Sequence, residues 1–263
     1  MGKVEEKDMQ PLILISNDDG VQADGIQALA AGLLAQADVV IVAPDRPRSG
    51  VGCGVTLYDP LRYTVLSREP GLTICSCSGT PVDCVKLALE EVVERRPDLI
   101  VGGINHGDNS SVSVHYSGTM GIVLEGCMKG IPSVGFSLCD DSAEADFSAA
   151  LPYVRSMTAR ILRDGLPAGV CLNVNFPRHT GGGYAGVRVC RMIRGLWSNE
   201  CFKAQHPRGG HYFWLTGAFS PAEPAAPDTD VWALEHNYVA VTPVQVDMTA
   251  YDAIQALKPW EDL

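Results

Sequence analysis

Two adjacent carboxylates, Asp18 and Asp19, follow the apolar run Leu12-Ile13-Leu14-Ile15 with only Ser16 and Asn17 between. Side by side they repel each other, and a hard divalent cation is the natural remedy, because Mg²⁺ prefers oxygen ligands, few carboxylates and several retained waters. An Asp-Asp-Gly run could equally turn the chain and cap backbone donors. Two further polar stretches, 45–50 and 102–109, also follow apolar runs. Asn105 is a neutral oxygen donor for a cation, whereas Asn109 could donate hydrogen bonds to an anion. Tyr116-Ser117-Gly118-Thr119 stands before a helical pattern. Free backbone N–H groups and two hydroxyls would then point at one spot, which in physical terms is a phosphate cradle.

Strands and helices must place these loops together. Leu12–Ile15 and Val39–Val42 are short continuous apolar runs, as expected of strands buried on both faces. Between them Ile26, Leu29, Ala30, Leu33 and Leu34 fall on one helical face, with Asp24 as the expected N-cap. A β-α-β unit results, and with it a parallel sheet. Thr80-Pro81 opens a second helix, its face formed by Val82, Val85, Leu89, Val92 and Val93. Leu99–Val101, Val134–Phe136 and Val170–Asn175 read as strands, and the spacing predicts helices over 119–129 and from Val154 to Leu162. In open parallel sheets ligands bind outside the carboxyl ends of the strands, which is where the three polar loops fall.

Past residue 180 the pattern turns strand-like, with Val187–Cys190, Tyr212–Leu215 and Tyr238–Val241 separated by loops and Ser220–Asp228 as an exposed connection. The reading is a Rossmann-like three-layer α/β/α core with a mostly parallel sheet over 1–190, and a β-rich extension over 191–263.

Composition narrows the function. The 263 residues carry 20 Lys+Arg against 31 Asp+Glu, a net charge of −11, which argues against gripping polymeric nucleic acid through its phosphates. A small anionic substrate is still compatible, since one metal ion can reverse the field of a site. Nine cysteines, an odd number without a C-x-x-C pair, indicate neither a disulfide framework nor a zinc knuckle. The charged start Met1 to Gln10 has no apolar h-region, and no apolar run reaches the roughly 20 residues of a membrane span. A cytoplasmic protein with no membrane partner is expected. No G-x-G-x-x-G follows the first strand and no G-x-S-x-G is present, against a dinucleotide site or an α/β-hydrolase. His206 and His211 read as surface residues rather than a zinc pair.

In order along the chain, Asn17-Asp18-Asp19-Gly20, Ala43-Pro44-Asp45-Arg46 with Ser49-Gly50, Gly79-Thr80-Pro81-Val82-Asp83, Gly103-Ile104-Asn105 with Asn109, and Tyr116-Ser117-Gly118-Thr119 resemble the signatures of the SurE family of nucleotide phosphatases. Asp228-Thr229-Asp230 and Tyr238 to Thr249 extend the likeness into the tail. Glu235-His236-Asn237 and Ala240 depart from it, in positions that bear on assembly or substrate preference. The resemblance implies a metal-dependent phosphomonoesterase acting on nucleoside 5′- and 3′-monophosphates, and on short polyphosphate in some members. It implies Asp18, Asp19, Ser49 and Asn105 as ligands of one Mg²⁺ or Mn²⁺ per subunit, with Asp18 and Asp19 catalytic. It further implies Gly50, Asn109, Ser117, Gly118 and Thr119 around the phosphate, and a homodimer or homotetramer that exchanges C-terminal elements. A catalytically silent nucleotide or phosphate sensor on the same fold is the alternative.

Overall fold

Strand β1 (Leu12–Ser16) is buried along its whole length, and its side chains divide by parity: Ile13 and Ile15 enter one apolar cluster, Leu14 another. That is the alternation of a strand covered on both faces. The computed structural model describes residues 9–179 and 181–263 and sets β1 inside a nine-stranded sheet. Most of the polar lead read from Met1 to Gln10, namely residues 1–8, lies outside the described residues.

Helix α1 (Asp24–Leu33) buries Ile26, Leu29 and Leu33, and β2 (Asp38–Pro44) returns parallel to β1, closing the β-α-β unit. Asp24 is not the N-cap expected of it. Ala23 holds that position and Asp24 is the first helical residue, without a side-chain cap bond; its charge acts there on the helix dipole. β3 (Tyr63–Glu69) and β4 (Leu72–Cys77) form a hairpin at one sheet edge that the sequence periodicity did not show. β3 is almost entirely exposed, so it carries no buried face to betray it.

Helix α2 (Pro81–Leu87) starts where Thr80-Pro81 places it. The Asp83 amide donates to Thr80 Oγ1 (3.1 Å) and the Thr80 amide donates to Asp83 Oδ2 (2.9 Å), a reciprocal capping box. Asp83 Oδ1 also accepts the Thr56 amide at 3.0 Å. Burial alone would raise this carboxyl, but hydrogen bonds from Thr56 and Thr80 hold it below the usual carboxylate range. A wider π turn, Ala88–Val92, follows, so the expected apolar face ends early and Leu89 and Val92 are only partly buried. Asp83→Ala strands two amides and is expected to cost about 2–3 kcal/mol in urea unfolding, with turnover intact. A collapse of turnover at unchanged stability would move Asp83 into the active site.

β5 (Leu99–His106), α3 (Gly118–Met128), β6 (Ser133–Leu138), α4 (Leu151–Asp164) and β7 (Val170–Phe176) complete the parallel run β4-β2-β1-β5-β6-β7. α1 and α4 cover one face of the sheet, α2 and α3 the other, which makes the three layers.

The tail contains β8 (Gly186–Val189), β9 (Gly195–Ser198), β10 (Cys201–Gln205), β11 (His211–Leu215), β12 (Ala218–Pro221), α5 (Asp230–Glu235), β13 (Tyr238–Gln245) and α6 (Tyr251–Leu257). β13 pairs antiparallel with β7 and parallel with β8, so the 191–263 segment sends a strand back into the central sheet. β12 takes up the first residues of the connection expected over Ser220–Asp228. β9 pairs with β12 and β10 with β11, so 195–221 is one long ribbon in two sections. Asp230 is fully buried, and its carboxylate accepts the amides of Ser111 (2.7 Å) and Ile193 (2.9 Å), which ties the tail to the loop before α3. All nine cysteines are free, and no helix among the described residues is long and apolar enough to cross a membrane.

Candidate active site

Asn17 bends the chain sharply as β1 ends. Its side-chain amide donates to the Gly20 carbonyl (2.9 Å), and the Gly20 amide donates back to Asn17 Oδ1 (3.2 Å). The turn sets Asp18 and Asp19 at the carboxyl edge of the sheet. From the neighbouring loop after β2, the Arg48 amide donates to the Asp18 carbonyl at 2.7 Å, bringing up Ser49 and Gly50. Gly50 has φ +76 and open space around it, a conformation that favours glycine.

Asp18 is nearly out of solvent at 4% exposure. Burial, with the Asp19 charge adding to it and the Thr119 hydroxyl opposing it, pushes its carboxyl up to about 6. Thr119 Oγ1 donates to Asp18 Oδ1 at 2.7 Å. Gly118 lies directly beneath: a Cβ there would fall 2.7 Å from Asp18 Cβ, so only glycine lets the start of α3 come this close. Asp19 is half-buried and accepts the His106 amide at 3.2 Å; burial raises its carboxyl as well, and that amide moderates the rise.

Asn105 spends its amide hydrogens on the carbonyls of His106 (3.1 Å) and Gly107 (2.7 Å). Its Oδ1 has only a long contact to Thr119 Oγ1 at 3.5 Å. The two carboxylates, the Asn105 amide oxygen and the Ser49 hydroxyl are all oxygen groups of the kind a hard cation takes, and carboxylates raised by burial are what such a cation would relieve.

Asn109 is held by residues that sequence reasoning missed. Its amide N–H donates to Asn175 Oδ1 (2.8 Å), its carbonyl accepts from Asn173 Nδ2 (2.7 Å), and its own Nδ2 donates to Ser137 Oγ (2.8 Å). Asn173 and Asn175 stand two apart on β7, so the period of a strand would have placed both on one face. His106 was also passed over, since its part is played by a backbone amide.

A cleft of about 440 Å³ opens over this edge, within the size range of small-molecule sites. Asp18, Ser49, Gly50, Asn105, Asn109 and Ser117 line it together, whereas Asp19 is not among its lining residues. Ser117 caps α3 by accepting the Met120 amide at 3.0 Å. Gly118 and Thr119 lie behind Asp18 instead of on the cleft wall, and the Thr119 hydroxyl is turned onto the carboxylate. The cleft's remaining wall, which includes Tyr116, Trp197 and Glu200, comes largely from the ribbon over 195–221.

Fold and cleft together define a Rossmann-like α/β protein with a carboxylate-bearing polar site at the carboxyl ends of its central strands, beside a helix N-terminus. The family described as "Survival protein SurE" matches residues 13–199. The chain is 57% identical over 254 residues to the protein named 5′-nucleotidase SurE from Phocaeicola vulgatus, covering 97% of this chain and 98% of that one. It is 40% identical to the 5′-nucleotidase SurE of Symbiobacterium thermophilum over 95% of this chain and 98% of that protein. The crystal structure of the SurE protein from Aquifex aeolicus superposes with a TM-score of 0.82 at 34% identity, over 96% of this chain and 100% of that one. This chain belongs to the SurE family.

Proposed function

We propose that the protein is a metal-dependent phosphomonoesterase that hydrolyses nucleoside 5′- and 3′-monophosphates to nucleoside and phosphate, with short polyphosphate as a further substrate class. One observation carries the reading: Asp18, Asn105, Asn109 and Ser117, from three separate loops, share one cleft in a chain that keeps every one of these residues.

Asp18, Asp19, Ser49 and Asn105 would hold one Mg²⁺ or Mn²⁺ per subunit. When bound, the ion supplies Lewis acidity toward a phosphoryl oxygen. Gly50, Asn109 and Ser117 bind the phosphate at the mouth of α3, whose N-terminus favours negative charge. Gly118 and Thr119 serve the phosphate indirectly, by holding the Asp18 carboxylate in place. With Oδ1 engaged by the Thr119 hydroxyl, Asp18 acts as the base that takes a proton from the attacking water, because an anchored carboxylate has little freedom for in-line attack. A panel of nucleoside 5′- and 3′-monophosphates and tripolyphosphate, assayed for phosphate release with each metal, tests the reading. No release from any nucleotide with either metal defeats it.

The net charge of −11 supports a small-molecule substrate over polymeric nucleic acid or an anionic membrane surface. Nine free cysteines fit a reducing cytoplasm. The ribbon and tail also support self-association. Phe202, Phe213, Trp214, Leu215, Tyr251 and Trp260 are exposed, and α6 buries none of its residues in the chain's own fold. Such an apolar surface marks an interaction site. Light scattering is expected to report a homodimer or homotetramer; a stable monomer at micromolar concentration would refute this.

A further inference from the structure

The cleft is lined by two chemically different sets of residues. One set supplies the oxygen and amide groups at the strand ends; the other is Tyr116, Trp197, Glu200 and Leu215. Trp197 stands on β9 and is steadied by Phe219 of β12, with ring centroids 6.1 Å apart and an interplanar angle of 65°. Glu200 sits at the neck of the ribbon, where the Thr216 amide donates to its carbonyl at 3.0 Å. Gly217 is the corner that brings them together: a Cβ there would lie 3.3 Å from Trp197 Cε3 and 3.4 Å from Glu200 Cγ. An indole and a carboxylate-bearing side chain therefore stand side by side around Gly217, and both residues line the cleft that holds the polar groups of the strand ends. The Glu200 side chain is exposed and takes part in no hydrogen bond among the described residues. So its two acceptor oxygens are available to a ligand.

Resting on the phosphatase reading, we propose that Trp197, Tyr116 and Glu200 form a nucleobase subsite that favours guanine. An aromatic wall accepts the π-face of any base, so stacking alone discriminates little. A carboxylate beside that wall selects by the base's edge. Guanine presents N1–H and the N2 amino group side by side, matching two carboxylate oxygens. Hypoxanthine offers N1–H alone, and adenine offers no N1–H. A site built to pair with two donors leaves an acceptor unpaired when one donor is missing.

The test compares kcat/KM for guanosine, inosine and adenosine 5′-monophosphates, each divided by that for ribose 5-phosphate, in wild type, Trp197→Ala and Glu200→Gln with Mg²⁺ or Mn²⁺ present. In the wild type GMP is expected to lead IMP by about tenfold. Trp197→Ala should lower the ratio of every nucleotide to ribose 5-phosphate by about tenfold. Glu200→Gln should erase the GMP-over-IMP preference while sparing IMP. Equal ratios for GMP and IMP in the wild type, or a preference untouched by Glu200→Gln, would overturn the guanine assignment. An unmoved nucleotide ratio in Trp197→Ala would overturn the subsite. Calorimetric titration of GMP and ribose 5-phosphate reads binding apart from turnover. GMP bound about tenfold tighter through Trp197, with no phosphate released, would uphold the subsite and defeat the phosphatase reading. Turnover without any base dependence would do the reverse.

Discussion

Dialysis against EDTA is expected to abolish phosphate release, and Mg²⁺ or Mn²⁺ to restore it. Asp18 and Asp19 are adjacent, both are raised by burial, and the Asp19 charge contributes to the rise at Asp18. Without a cation this pair would repel an incoming phosphate dianion. With several kcal/mol of transition-state stabilisation at stake, Asp19→Asn should lower kcat by about 10³-fold. Its effect on stability runs the other way. The side-chain oxygen of Asn can still accept the His106 amide, and one of two repelling charges is gone, so the metal-free variant should melt at the wild-type temperature or slightly above it. Calorimetric titration with Mn²⁺ should show binding in the wild type and little in the variant. Full activity after EDTA would remove the metal from the mechanism. A variant that unfolds would return the Asp-Asp turn to a structural role.

The second large effect concerns the tail. A chain ending at Gly183 is expected to be insoluble or inactive, and the reason is the sheet itself. β13 pairs with β7 along six residues, Val170 to Asn175, and β8 then pairs with β13. Removing them turns β7, whose inner residues Cys171, Val174 and Phe176 are buried, into a bare edge. Such an edge invites aggregation. The cut also deletes Asp230, leaving the Ser111 amide beside the active-site loop without its acceptor. A cut after Asp247 removes α6, which buries none of its residues, and is expected to leave a soluble fold. A soluble and fully active 1–183 fragment would show that the core closes without β13.

The sequence alone determined the parallel core and singled out the polar strand-end residues Asp18, Asn105 and Asn109, which line the cleft. Buried strands such as Leu12–Ser16 declare themselves by a continuous apolar run and helices such as α4 by their period, because each segment's own composition reports how many of its faces will be covered. The polar residues that interrupt those runs, Asp18-Asp19, Asn105 and Asn109, were legible for the same reason: nothing in a packed core calls for them there. Signals fail where burial is incomplete or distant. β3 is exposed on nearly every residue and gives no periodic mark. β13 reads as a strand, but only pairing with β7, some seventy residues earlier, puts it in the central sheet and not in a separate extension. Thr119 looked like a phosphate ligand in a helix cap, yet packing of α3 against the β1 turn points its hydroxyl at Asp18. Asn173 and Asn175 become part of the site only because β7 runs past the loop that carries Asn109. Trp197 and Glu200 lie far along the chain from every motif, and the ribbon's fold around Gly217 alone decides that they face the cleft. Local composition sets what each segment prefers; which groups meet is set by long-range pairing, whose energy no single stretch of sequence contains.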